Sequence, residues 1–249
     1  MRRAPLCALL LFSAAYAGAQ SSGVQVLEKF TKALSSAKAL TASYTVQPIG
    51  GIATSYNLSL AKPNLAKIDT PSQLIVADGT NIVTYDKVKK TYYKKPETSQ
   101  ELTKLVSGSD LYIWASFFDG KAYARCTEVR DGGTKTRKGV TYNVVSFSLP
   151  SARPTTATFY LDQTDNLVRQ AEFSVNSGTT IDLTVYQTKS VAVADKVDTT
   201  LYAFTPPDGS RELTAAEINA GKWYTNIGEA LDAAKAANKN VFVFFEADW

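Results

Sequence analysis

From Leu40 onward, apolar and polar side chains alternate with a period of two, and this alternation decides most of what the chain can fold into. Leu40, Ala42, Tyr44 and Val46 interleave with Thr41, Ser43 and Thr45. Tyr56, Leu58 and Leu60 interleave with Ser55, Asn57 and Ser59, and Gly50-Gly51 stands between the two runs. A period of two puts one set of side chains on each face of a half-buried strand, and a glycine pair between such runs reads as a hairpin. Further extended segments are expected over 64–70, 73–78, 81–86 and 89–94, then over 122–130, 140–149, 155–162, 166–175 and 179–188. Asp78-Gly79 and Asp165-Asn166 supply tight turns, and Asp131-Gly132-Gly133 a loop. About ten or eleven sequential, hairpin-linked strands make one large antiparallel sheet, and a sheet that size must curl. The expected class is α+β: an unclosed β-barrel whose concave apolar face is covered by helices.

Three helical segments are available as cover. Val24, Leu27, Phe30 and Leu34 recur at three- and four-residue spacing and predict a helix over 24–37. Residues 97–106 carry Leu102, Leu105 and Val106. Residues 110–118 carry Leu111, Trp114, Phe117 and Phe118, with Asp110 as the expected N-cap. A pocket between sheet and helices follows from this arrangement.

The first 19 residues read as an export leader. Arg2-Arg3 precedes an apolar run over 4–17, and Ala17-Gly18-Ala19 is a small-x-small cleavage signal. The run is too short to span a bilayer as a permanent helix, and no second stretch of spanning length follows. The mature protein is expected outside the cytoplasm, in a periplasm. Without Arg2 and Arg3 the formal charge of +4 falls to about +2, too mild to imply nucleic acid.

Composition removes several chemistries. The chain has no histidine, so no Ser–His–Asp triad, Cys–His pair or His-ligated zinc arises within it. Cys7 falls in the leader, which leaves Cys126 alone, without a disulfide partner; a buried, inert thiol is its default role. There is no Gly-rich phosphate loop and no metal-ligand spacing. Neither a cofactor nor a catalytic residue is expected. Lys87, Lys89, Lys90, Lys94 and Lys95 crowd one hairpin, and Arg130, Lys135, Arg137 and Lys138 another. Such clusters meet anionic headgroups or simply protect strand edges.

Four stretches, in order, resemble the LolA/LolB family of outer-membrane lipoprotein carriers over about residues 24–209. They are Leu40-Thr41-Ala42-Ser43-Tyr44-Thr45-Val46-Gln47, Leu60-Ala61-Lys62-Pro63-Asn64-Leu65, Leu74-Ile75-Val76-Ala77-Asp78-Gly79-Thr80-Asn81 with Tyr85-Asp86, and Phe204-Thr205-Pro206-Pro207-Asp208-Gly209. The resemblance implies an unclosed barrel with a helical lid over a cavity for acyl chains. It also implies that the basic residue before the Pro-Asn-Leu turn, here Lys62, ties the lid shut. Lysine lacks the planar fork of the family's arginine, and as a latch it competes with simple snorkelling to solvent. The family's cavity tryptophan is replaced near Ile68. By strand phase the pocket lining would comprise Leu40, Tyr44, Leu58 and Leu60 early in the chain, and Phe147, Phe159, Leu161, Leu183 and Val185 later. Trp114, Phe117 and Phe118 would form the inner face of the lid. The same residue types also build plain sheet core.

After a polar linker over 210–221, residues 222–249 change character. Lys222-Trp223-Tyr224 starts extended, Ile227, Ala230, Leu231 and Ala234 form a helix face, and Lys239-Asn240 stops it. Val241-Phe242-Val243-Phe244-Phe245 is a strand apolar on both faces, followed by Glu246, Ala247, Asp248 and Trp249. This resembles the opening β-α-β of thioredoxin-like domains, in which a reactive cysteine follows the tryptophan. The leading expectation is a periplasmic, non-enzymatic carrier of acyl chains from lipid or lipoprotein, with envelope proteins as further partners. The alternative is a thiol–disulfide oxidoreductase whose active site lies past Trp249.

Overall fold

A computed structural model describes residues 7–151, 153–218, 226–241 and 243. Helix α1 (Cys7–Ser36) leads into a meander of β1 (Ala39–Pro48), β2 (Thr54–Ala61), β3 (Leu65–Asp69), β4 (Gln73–Asp78), β5 (Asn81–Asp86) and β6 (Thr91–Pro96). Helix α2 (Ser99–Val106) and a 3-10 segment (Ser109–Phe117) follow. A second meander runs through β7 (Thr127–Arg137), β8 (Val140–Leu149), β9 (Thr155–Asp162), β10 (Val168–Asn176) and β11 (Ile181–Ala194). A short 3-10 turn (Thr199–Tyr202), β12 (Arg211–Glu212), α3 (Ala215–Ile218) and α4 (Ile227–Ala237) complete the described chain.

All twelve strands among the described residues join one sheet in the order β12-β6-β5-β4-β3-β2-β1-β11-β10-β9-β8-β7. Pairing of β1 with β11 welds the two meanders together. The sheet is curved and unclosed, with β12 and β7 at its two edges. This is the large antiparallel α+β sheet expected from the alternation, with one parallel pair added at the β12 edge.

α1 explains itself from its apolar face. Leu27, Phe30 and Leu34 are buried against the concave side, and Phe30 and Leu34 are wholly excluded from solvent. Burying each such side chain stabilises by ~1.5–3 kcal/mol. The helix begins well before residue 24 and runs through the expected leader boundary at residue 19. α2 is capped as its sequence demands: the Thr98 hydroxyl accepts from the Glu101 N–H.

Several local expectations are corrected. Residues 122–126 are not strand. The Ala122, Ala124 and Cys126 N–H groups each donate to the carbonyl three residues back, so consecutive turns hold this stretch until β7 starts at Thr127. Asp131-Gly132-Gly133 is not a loop between strands but an irregularity inside β7, where the register against β8 shifts and Gly133 takes φ +70°. Residues 110–118 are 3-10 rather than α-helical, since Leu111, Trp114 and Phe117 lie three apart and so align on one face at three residues per turn. Its N-cap is Gly108, not Asp110.

The linker expected over 210–221 is partly structured. The Arg211 N–H donates to the Lys90 carbonyl and the Leu213 N–H to that of Tyr92, which adds β12 to β6 in parallel. The Arg211 guanidinium then grips Glu217 of α3 through two hydrogen bonds of 3.0 and 2.7 Å. Helix α4 forms where Ile227, Ala230, Leu231 and Ala234 predict it, with Asn226 accepting at its start and Asn238 in the left-handed region at its end. Lys222-Trp223-Tyr224, Phe242 and residues 244–249, which carry most of the thioredoxin-like resemblance, lie outside the described residues.

Candidate functional site

The concave face carries an aromatic chain. Phe30 of α1 meets Phe159 at 5.5 Å between ring centroids, and Phe159 meets Phe147 at 5.0 Å and Phe173 at 5.9 Å. Phe173 continues to Tyr186 at 5.0 Å. Most of these contacts are edge-to-face or tilted, the arrangement that ring quadrupoles favour. Beside this chain the 3-10 segment inserts Ile113, Trp114 and Phe117, all fully buried. Leu40, Tyr44, Leu58, Leu60, Phe147, Phe159 and Leu161 are thus buried beneath α1 and the 3-10 segment. Trp114 and Phe117 face inward over them, while Phe118 is half-buried and packs edge-on against Phe117 at 4.9 Å.

Leu183 and Val185 lie elsewhere. Val185 pairs with exposed Gln47 and with Glu172, and Tyr186 pairs with buried Val46, so Tyr186 faces the hollow and its aliphatic neighbours face outward. Apolar character misassigns the phase of β11. A polar cluster sits inside the hollow, and its centre is Asp110. The Tyr56 hydroxyl donates to the Asp110 carboxylate, and the Tyr44 hydroxyl donates to the Asp110 carbonyl at 3.1 Å. Tyr44 and Tyr56 are cross-strand partners and stack at 5.1 Å, nearly parallel. Burial, with the Asp110 charge adding to it, pushes the Tyr56 and Tyr186 hydroxyls well above the ordinary tyrosine range. They therefore stay protonated and able to donate. The residue expected to cap a helix instead ties the 3-10 segment to the sheet.

Lys62 occupies a second tie. Its ammonium donates to the Ser35 carbonyl in the last turn of α1 and sits 5.1 Å from the Phe117 ring centroid. A cation there complements the negative end of the helix. Burial lowers the Lys62 pKa from its ordinary value.

A cavity of about 540 Å³ opens between α1 and the turns that precede β7. One wall is the α1 face from Val24 through Leu27, Glu28, Thr31 and Lys32 to Ser35. The other is Gly120, Tyr123, Ala124, Cys126 and Val129. Tyr123 forms its floor: fully buried, it donates to the Tyr112 carbonyl at 2.8 Å and packs its ring on Phe30, Phe147 and Phe159. None of the nine pocket residues expected from strand phase lines this cavity; Phe147 and Phe159 lie one layer beneath it. The volume is within the ~300–1,000 Å³ typical of small-molecule sites. Sequence reasoning missed Tyr123, Cys126 and Val129 because it read 122–130 as a strand. Burial raises the Cys126 thiol to about 11, although Tyr112 opposes this by hydrogen bonding. Such a thiol is a poor nucleophile at neutral pH.

The first basic hairpin is largely neutralised. Lys87 pairs with Asp69, Lys89 with Asp86 at 3.8 Å, Lys94 with Glu212 at 3.9 Å and Lys95 with Glu101. In the second, Lys135 and Arg137 lie over the Tyr160 ring at 5.5 and 4.9 Å. Among the described residues no cluster of His, Cys, Asp or Glu could hold a metal ion. No described helix is long and apolar enough to cross a membrane.

No protein-family model and no curated protein matches the chain. Among solved structures it is similar to an uncharacterized conserved protein from Thermus thermophilus, with TM-score 0.49 and 10% identity, over 77% of this chain and 98% of that one. It is similar to the Mycobacterium tuberculosis lipoprotein LppX, with TM-score 0.45 and 12% identity, over 72% and 98% of the two chains. It is also similar to a LolA superfamily protein from Nitrosomonas europaea, with TM-score 0.32 and 12% identity, over 73% and 97%.

Proposed function

We propose that this chain is an exported, non-enzymatic binding module whose ligand presents an acyl chain. The observation that carries this reading is the cavity of about 540 Å³ alongside α1, with Tyr123 as its floor and apolar Leu27 and Val129 on facing walls. Transfer of apolar surface from water into such a space is favourable by ~25 cal/mol per Å². A preformed pocket keeps that gain without extensive reordering. The sequence resemblance to lipoprotein carriers points the same way, as does the leader-like N-terminus. In this reading α1 is the wall that covers the cavity, and Lys62 ties its last turn to the sheet.

Displacement of a fluorescent fatty acid, supported by native mass spectrometry of the purified protein, tests the reading. Thr31→Trp should fill the cavity from a half-buried position and weaken uptake at least tenfold while leaving thermal stability nearly unchanged. If wild-type protein takes up no acylated probe, or the Thr31→Trp variant binds as well as wild type, the assignment fails.

A further inference from the structure

The cavity has two unlike ends, and the fold fixes which is which. Near Gly23 the backbone of α1 runs against β7: a Cβ placed on Gly23 would lie 2.7 Å from Arg130 C and from Asp131 N. That end of the slot holds Val24 and Leu27, and across from them Val129 and the Cys126 thiol. At the other end a Cβ on Gly120 would lie 3.5 Å from Ser35 Cβ. There the lining is Thr31, Lys32 and Ser35, and the Lys62 ammonium donates to the Ser35 carbonyl from the neighbouring strand end. From Val24 to Ser35 the helix rises about 16 Å at ~1.5 Å per residue. The slot therefore grades from aliphatic to hydroxyl-bearing and cationic along one helix face. Glu28 is the only acidic residue among its lining residues and sits one helical turn before Lys32.

Resting on the acyl-binding reading above, we infer that the slot takes a single-chain amphiphile with an anionic head. The tail points toward Cys126 and Val129, and the head toward Lys32, Thr31 and Ser35. A tail in the aliphatic end is removed from water, and an anion at the other end gains from the Lys32 ammonium and the two hydroxyl donors of Thr31 and Ser35. A neutral head of the same chain length gains only the first. A double-chain lipid does not suit a slot bounded by one helix face and one strand of turns.

Two probes of equal chain length test this on the full chain: dodecanoate and dodecanol. Each is titrated against a displaced fluorescent probe, and each is scored for protection of the Cys126 peptide from thiol alkylation at pH 9. The expected result is protection by both probes and at least tenfold tighter binding of dodecanoate, a difference of about 1.4 kcal/mol. Lys32→Glu, at an exposed position, should abolish that preference and leave dodecanol within twofold of wild type. Glu28→Lys should enlarge the preference. If both probes bind equally and Lys32→Glu changes neither, the polarity is wrong while the acyl-binding reading stands. If neither probe binds or protects Cys126, the acyl-binding reading itself falls.

Discussion

Substituting Gly23 by alanine sets two opposite effects against each other. In the interior of a helix, alanine is favoured over glycine by ~1 kcal/mol, so propensity alone calls the change stabilising. Packing says otherwise. The new methyl would stand 2.7 Å from Arg130 C and Asp131 N and 3.2 Å from Arg130 Cα, about 0.7 Å inside ordinary van der Waals contact. All three neighbours are backbone atoms of a strand held in the sheet, so none can swing aside as a side chain would. Overpacking of this kind costs ~1–3 kcal/mol, and backbone neighbours place Gly23 toward the upper end. The net expectation is destabilisation by roughly 1–2 kcal/mol, which for a chain of this size lowers Tm by about 2–8 °C. Gly120→Ala is the matched control, because its methyl meets Ser35 Cβ at a comfortable 3.5 Å. Thermal unfolding followed by circular dichroism reads both variants, and fatty-acid displacement reports whether α1 has shifted over the cavity. A Gly23→Ala protein with unchanged or raised Tm would refute the close seating of α1 on β7, and with it the shape of the slot.

Other outcomes follow from the same geometry. Tyr56→Phe removes a donor from the Asp110 carboxylate and should destabilise by ~1.5–3 kcal/mol, the range for hydrogen bonds to charged groups. Hydrogen exchange in residues 109–117 should rise with it, and unchanged exchange would show that Asp110 does not hold the segment. The Cys126 thiol, raised to about 11 from an ordinary value of 9.0, should alkylate roughly a hundredfold more slowly at pH 8 than an unperturbed thiol. The folded state holds that proton more tightly than the unfolded one, so this group's contribution to stability is intact below pH 9 and declines as pH rises toward 11. Phe204→Ala removes ring contacts to Tyr85 at 6.1 Å and Tyr92 at 5.3 Å. It should cost about 1–3 kcal/mol in chemical denaturation, ~0.5–1.5 kcal/mol for each pair, with little change in ligand affinity.

Strands with strict alternation and clear turns were legible from sequence to within a residue or two: β4, β5, β8 and β9 lie where the pattern puts them. Their faces are set by a local rule, since adjacent residues on a strand point opposite ways. Where tertiary demands override hydrophobicity the rule misleads. β11 turns Tyr186 and Thr188 inward and Leu183 and Val185 outward, a phase fixed by its register against buried Val46 on β1 and Phe173 and Ala171 on β10 rather than by the hydropathy of its own residues. The Phe204-Thr205-Pro206-Pro207 signature also has a physical meaning that pattern matching does not give: Phe204 packs on the outer satellite core with Tyr202, Val76 and Ala61 and braces β5 and β6. The cavity was least legible. Its walls come from a helix and from turns between residues 119 and 126, where no periodicity exists to read.

The unclosed sheet has a mechanical consequence at β7. A barrel sealed by strand pairing widens only by breaking rungs of its backbone ladder. Here the gap beside β7 is bridged by α1, which rests on the strand through side chains and one close backbone approach. Contacts of that kind lie outside the hydrogen-bonded ladder, so shifting the helix on β7 would break none of the strand pairing that holds the sheet together.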